Sequence, residues 1–547
     1  MINDKLHLFL NKNKWKFLIS VLLIMNVLVM LSFGARKNGY NVDELYTYGL
    51  SNSYFDPFID ITENTRLSNE YIQNYFTVQE EEKFAYDSVY DNQSRDVHPP
   101  LYYFLFHTVS SVLPNVFSKW IGILLNIVFF ILAWIILYEL SQLILKDKYL
   151  ALVPSLLWGL SSGAISSVVF IRMYVLMTAL VLLTTYLHAR TIKKYDFRSI
   201  DLIGILLTTF LGVMTHYYFV IFAFFLSACY FFYLLFQKKL KFMLTYVITM
   251  FLSLGLAVLF YPSMLKHIFS GYRGTEAVNS ITDSSDSISL VFESFFAYYA
   301  ILDHSLFSGI LSYLLIAIVI MLLVIIGKKL LLKTPKSEWR IREKLGGSNE
   351  ANGKSSLTLL VIFAISALMY VFIIAQVAPY KADRYVFPIF PLVILVFVCL
   401  IRNTLFYYIK SWKFQLVAFA LWVTIGLGST YANHTVNYLY ENRQMDYLTE
   451  KTDNQHDTAV LFYNQDRVAG AQITNSAQYL YYHPHSYIFN TEEGIEQLKK
   501  LNLDKDEMLI YFGYAVETKY FVEKIIEETK FDKYTLIDSS IGVYLFE

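Results

Sequence analysis

Five short stretches carry residues able to do chemistry near apolar runs: Asn41-Val42-Asp43-Glu44-Leu45-Tyr46, Arg95-Asp96-Val97-His98, Ile171-Arg172-Met173-Tyr174, His216-Tyr217-Tyr218 and Tyr380-Lys381-Ala382-Asp383-Arg384-Tyr385. Carboxylates such as Asp43 and Glu44 can take a proton from a hydroxyl. Arginine suits phosphate oxygens because its donors form a planar fork, and lysine adds a point charge. Tyrosines 46, 102, 103, 174 and 217 lie in or near these stretches. Each stretch also has a plain reading. Asp43-Glu44 is then the solvated end of a span, and Asp96 and His98 cap a helix that Pro99 opens. Arg172 anchors at headgroups, and His216 belongs to an aromatic belt.

The elements that must position these residues are membrane helices. The chain has 547 residues, 56% hydrophobic and only 16% charged, against about 45–50% and about 25% in soluble domains. The apolar residues fall in blocks of about 17–25, long enough to cross about 30 Å of hydrocarbon as helices. Net charge is zero, so no basic field argues for nucleic acid. Cys229 and Cys399 lie in apolar blocks and read as core filler.

Basic residues mark cytoplasmic loops. Lys5, Lys12, Lys14 and Lys16 put the start inside, before a retained first span over Phe17–Phe33. Residues 35–115 then form an external loop, provided that the short run Leu101–Leu113, bounded by Pro99, Pro100 and Pro114, lies at the interface instead of crossing. Spans follow from Ile121, Leu150, Met173, Ile200, Phe219, Phe242, Phe307, Leu357, Val386 and Phe414. The expectation is eleven spans, N-terminus cytoplasmic and C-terminus outside, with the five stretches on one external face. One basic cluster, Lys381 with Arg384, breaks the charge rule in this count. Residues 433–547 read as a separate extracytoplasmic α/β domain after the transmembrane domain of residues 1–432. Its expected strands are Thr458–Tyr463, Ser486–Asn490 and Met508–Phe512, with helices over Glu492–Leu501 and Glu517–Lys530 and a hairpin over Tyr534–Phe546. His483 and His485 flank a proline and suggest a metal site only weakly. The loop from Lys333 to Lys354 reads as solvated.

The motifs resemble those of the polyprenyl-phosphate-sugar-dependent glycosyltransferases of GT-C fold, the bacterial relatives of protein O-mannosyltransferases and aminoarabinose transferases. The likeness rests on Asp43-Glu44 after the first span, His98-Pro99-Pro100-Leu101-Tyr102-Tyr103, Arg172-x-Tyr174, Thr215-His216-Tyr217, and Arg384-Tyr385 followed by Pro388 and Pro391. It covers residues 1 to about 410. It implies a catalytic base at Asp43, with Glu44 beside it, and interfacial helices between the first two spans. It implies a multi-pass enzyme of the cell membrane that moves a sugar from a polyprenyl-phosphate donor to a polysaccharide, lipid or protein hydroxyl. Inversion at the anomeric carbon is expected. Asp96, His98, Tyr102, Arg172, Tyr174, His216, Tyr217, Lys381, Arg384 and Tyr385 would bind substrate. No cofactor is required, apart from the divalent metal that some such proteins use, whose candidate ligands here are Asp96, His98 and His216. The chain departs from aminoarabinose transferases at Val97-His98, where those tend to carry Glu-Lys. The competing class is a transporter or flippase of lipid-linked glycans, which favours midplane sites and inverted repeats. A noncatalytic assembly subunit is a third.

Overall fold

The computed structural model describes residues 2–59, 65–194, 198–282, 287–331, 350–409, 411–432, 434–454, 458–501 and 507–547. The apolar blocks fold as helices. Eight are long and apolar enough to cross a membrane: Lys14–Arg36, Lys119–Leu145, Tyr174–Lys193, Tyr218–Phe236, Leu240–Phe260, Leu311–Lys328, Ser355–Val377 and Trp412–Ala432. Two shorter apolar helices, Ser199–Val213 and Phe387–Asn403, occupy the places of the expected fifth and tenth spans. The chain is a multi-pass membrane protein. Most of the expected loop from Lys333 to Lys354 lies outside the described residues.

The expected third span is not one straight helix. It is two, Leu152–Gly159 and Ser162–Val169, bent by 61°. Ser161 makes the break: its hydroxyl accepts from the Ala164 amide and donates to the Trp158 carbonyl, so it caps one helix while ending the other. Gly159 and Gly163 let neighbours close in. A Cβ at Gly159 would sit 2.3 Å from Asn26 Oδ1, and one at Gly163 would sit 2.5 Å from Phe390.

The second helix of the pair ends beside Asn126, buried in the middle of Lys119–Leu145. The Asn126 amide donates to the carbonyls of Val168 and Phe170 at 3.1 and 2.9 Å, and its oxygen accepts the Tyr102 hydroxyl at 3.0 Å. Those contacts turn the chain at Ile171-Arg172 and fix the next helix, which starts at Tyr174.

Between the first two spans lie the short helices Val42–Asn52, Asn69–Phe76, Tyr86–Arg95 and Leu101–Val112. The last has 12 residues, about 18 Å of helix against about 30 Å of hydrocarbon. Its Leu101 amide donates to the Met214 carbonyl at 3.0 Å. That bond ties the His98-Pro99-Pro100 turn to the end of helix Ser199–Val213.

The C-terminal part builds a six-stranded sheet from β1 (Thr65–Ser68), β2 (Thr458–Tyr463), β3 (His485–Asn490), β4 (Met508–Phe512), β5 (Tyr534–Asp538) and β6 (Val543–Phe546), in the order β1-β3-β2-β4-β6-β5. β2 runs parallel to β3 and β4, and β5 and β6 form the closing hairpin. β1 comes from the segment between the first two spans and pairs antiparallel with β3. One sheet face joins the main core through Leu461, Ile488 and Leu509 under helix Ala469–Leu480. The other packs Val460, Phe462 and Ile510 beneath helices Gly494–Lys500 and Thr518–Glu528.

Replacing Asn126 by Leu leaves one hydroxyl and two carbonyls unmet in an apolar setting, at about 1–3 kcal/mol each. The variant is expected to lose several degrees of melting temperature in detergent, measured by scanning fluorimetry.

Candidate active site

Arg172 is the centre of the site. Only 3% of it is exposed. Its Nη1 donates to the Asp43 carbonyl at 3.0 Å, to the Thr47 hydroxyl at 3.2 Å and to the Tyr103 hydroxyl at 3.0 Å. Its Nη2 lies 3.3 Å from His98 Nε2, and His98 Nδ1 lies 2.8 Å from Asp96 Oδ2. His98 bridges the two: its Nδ1 faces the Asp96 carboxylate and its Nε2 faces the Arg172 guanidinium. Burial pushes the Asp96 carboxyl up, but His98, the Val97 amide and Arg172 outweigh it and hold Asp96 below the ordinary carboxylate range.

Asp43 faces this row from the first turn of helix Val42–Asn52. Its amide is held by Asn41 Oδ1 and its carbonyl by Arg172. Its carboxylate keeps 31% of its side-chain surface and lies 3.5 Å from Arg384 Nη2. Arg384 lies over the Tyr385 ring at 5.1 Å. Its segment is held by Asp383, which accepts from the Arg384 amide, the Tyr438 hydroxyl and Asn437 Nδ2. Tyr174 completes the wall, its ring 5.5 Å from His216 and 6.5 Å from Tyr385.

Asp43, Asp96, His98, Arg172, Tyr174, His216, Arg384 and Tyr385 therefore meet in one place. Four other residues singled out in the sequence have different surroundings. Glu44 is fully buried: it accepts from the amides of Asn41 at 2.6 Å and Ile171 at 2.8 Å and pairs with Lys37 at 2.9 Å. Tyr102 is fully buried on Asn126. Tyr217 gives its hydroxyl contact to His267 at 2.9 Å. Lys381 donates to the Ala375 carbonyl at 3.0 Å.

The candidate metal ligands Asp96, His98 and His216 do gather, the two rings 5.8 Å apart. Several of their donor atoms are engaged, however. Both nitrogens of His98 are used as above, and His216 Nδ1 accepts from the Tyr218 amide at 3.0 Å. Among the described residues no group of three such side chains is arranged to hold a metal ion, so no step is assigned to one. His483 likewise pairs with the Tyr511 hydroxyl at 2.9 Å.

No family model matches the chain, and no curated protein matches it. Two solved structures of ArnT from Cupriavidus metallidurans are similar to it. One, bound to undecaprenyl phosphate, has a TM-score of 0.48 at 9% identity, covering 98% of each chain. The other, in the apo state, has a TM-score of 0.47 at 10% identity, covering 96% of this chain and 97% of ArnT. The likeness is one of overall fold.

The site also uses residues that the motif reading passed over. Lys37 is buried, and besides Glu44 it holds the Tyr438 carbonyl at 2.6 Å. Burial pushes the Glu44 carboxyl up and the Lys37 ammonium down, and each partner opposes the other's shift. A signal for Lys37 existed. Arg36-Lys37 follows the first span on the side where the charge count finds only Lys381 and Arg384, so it is a second exception to the same rule. Tyr438, stacked on Phe170 at 4.1 Å, lies beyond the last span, where nothing in its neighbourhood marks it.

Replacing Glu44 by Ala strands a buried ammonium, a loss of about 3–5 kcal/mol. We expect a large fall in melting temperature, mostly recovered when Lys37→Met is added. His216 gives a second test. Burial first, then His98 and Arg172, hold its folded-state pKa well below the ordinary value. The unfolded chain thus binds a proton at about pH 6.5 that the folded chain refuses, and stability falls as pH drops through that range. His216→Gln should flatten this loss between about pH 6.5 and pH 5, read as melting temperature against pH.

Proposed function

We propose that this chain is a membrane glycosyltransferase moving a sugar from a polyprenyl-phosphate donor to a hydroxyl of a cell-envelope acceptor on the outer membrane face, with inversion. The observation that carries the reading is the Asp43 carboxylate, solvent-accessible and held by its backbone at both ends, 3.5 Å from the Arg384 guanidinium. A base and a cation in one open site are the two groups that direct displacement at an anomeric carbon needs; they serve opposite faces of that carbon, so the donor sugar enters between Asp43 and Arg384 and separates them. Asp43 takes the acceptor O–H proton as the acceptor oxygen attacks the anomeric carbon. The bond from that carbon to the phosphate oxygen breaks, and the leaving oxygen keeps the electron pair. Arg384 stabilises the charge on the lipid phosphate.

In this reading Asp96, His98 and Arg172 hold the floor of the site. Arg172 fixes the Asp43 carbonyl and so the direction of its carboxylate. Tyr174 and Tyr385 line the sugar position. Glu44 is a positioning residue, since its buried carboxylate orders the helix that carries Asp43. The motif resemblance to GT-C enzymes supports the same assignment. A carrier of lipid-linked glycans favours a site near the bilayer midplane; Asp43 and Arg384 lie just beyond the ends of spans, which favours the enzyme.

Purified protein in detergent should consume a polyprenyl-phosphate sugar with no membrane to cross, and Asp43→Asn should lower the rate by about 100-fold or more while the protein stays folded. Arg384→Ala should weaken donor binding in the same preparation. Full turnover by folded Asp43→Asn would refute the base assignment.

A further inference from the structure

The parallel strands of the C-terminal sheet end in a crevice that the site described above does not use. Its volume is about 520 Å³, and Asn464, Arg467, Thr491, Tyr514, Glu517 and Tyr520 line it. That size lies within the range of about 300–1,000 Å³ typical of ligand pockets. Its position follows from the topology. β2 is central; the chain next adds β3 on one side and then crosses to add β4 on the other. Helix Ala469–Leu480, which follows β2, covers one face, and helix Thr518–Glu528, which follows β4, covers the other. The loops after β2 and β4 therefore separate at their carboxyl ends. Open α/β sheets bind ligands at such a switch point.

The chemistry of the walls selects the ligand. Anion-binding βα loops present free backbone amides. Here several loop amides are satisfied internally. The Asn464 amide donates to Gln472 Oε1 and the Asp466 amide to Asn464 Oδ1. Those of Glu492 and Glu493 both donate to Asn490 Oδ1. Gly513 N–H donates to the Phe462 carbonyl and Val516 N–H to Gly513. Arg467 and Glu517 balance in charge. What remains on offer is a pair of largely exposed tyrosine rings, Tyr514 and Tyr520, beside the Thr491 hydroxyl and an ion of each sign. Ring faces beside mixed donors and acceptors suit a neutral polyhydroxylated ligand better than a phosphate.

The crevice also adjoins the membrane-side site. Tyr46 lies one helical turn beyond Asp43. Its helix, Val42–Asn52, packs against helix Ala469–Leu480, which leaves the crevice, and the Tyr40 amide just before it donates to Gln478 Oε1 at 2.9 Å.

We propose that this crevice binds the neutral glycan chain of the acceptor and presents its terminal hydroxyl to Asp43, an inference that rests on the transferase reading. The test uses full-length protein in detergent and a pool of neutral hexose oligosaccharides of mixed linkage, with saturation-transfer NMR reporting contact. The oligosaccharides should bind, and Tyr514→Ala/Tyr520→Ala should weaken them roughly tenfold or more, the scale of two lost aromatic contacts. The same variant should raise KM for an oligosaccharide acceptor while leaving turnover with a small alcohol acceptor unchanged. No oligosaccharide signal, an undiminished signal in the double variant, or displacement by inorganic phosphate would overturn the proposal. Asp43→Asn separates the two claims. If it keeps full donor turnover while oligosaccharide still binds, the transferase reading fails and the crevice stands as a glycan site. If it loses turnover but the parent protein binds no oligosaccharide, the crevice assignment alone fails.

Discussion

Much of the arrangement depends on one buried carboxylate. Glu44 closes a capping box with Asn41, which starts the helix bearing Asp43. It accepts the Ile171 amide, which fixes the turn bearing Arg172. Through Lys37 it reaches the backbone of Tyr438, whose hydroxyl holds Asp383 beside Arg384. The end of the first span, the turn before the fourth and the segment after the last thus converge on two carboxylate oxygens. Burying such a pair costs desolvation, and good geometry with extra hydrogen bonds is what offsets it. Both oxygens have those bonds.

Adjacent acids therefore divide the work. Asp43 and Glu44 are neighbours in sequence, yet successive residues on a helix point about 100° apart. Asp43 faces the open site and Glu44 faces the packed interior. No pattern in the two letters distinguishes them. Only the partners do: Lys37 and the amide of Ile171, the latter distant in sequence.

What could be read from the chain follows the same logic. Spans were legible because lipid demands long apolar helices. Asp43, Arg172 and Arg384 were legible because ionisable residues at span ends are costly unless partnered. β2 and β4 stood out as continuous apolar runs because parallel strands are buried on both faces. The bend at Ser161 was hidden because both halves are apolar and the break uses one hydroxyl. Helix Ala469–Leu480 was hidden because small residues and the buried amides Gln472 and Gln478 blur its stripe. β1 is four residues, Thr-Arg-Leu-Ser, too short for any alternation to register.

β1 has a consequence for how the protein is made. Its partner strand is contributed by His485–Ile488, more than four hundred residues later. Lys37 waits in the same way for Tyr438 and Tyr40 for Gln478. Contacts of such sequence separation form late, after the intervening helices have been synthesised and inserted. A ribosome-bound chain holding every span still lacks the strand and the backbone carbonyl that anchor the segment carrying Asp43. The contacts that anchor that segment therefore form only once the chain beyond the last span has been made.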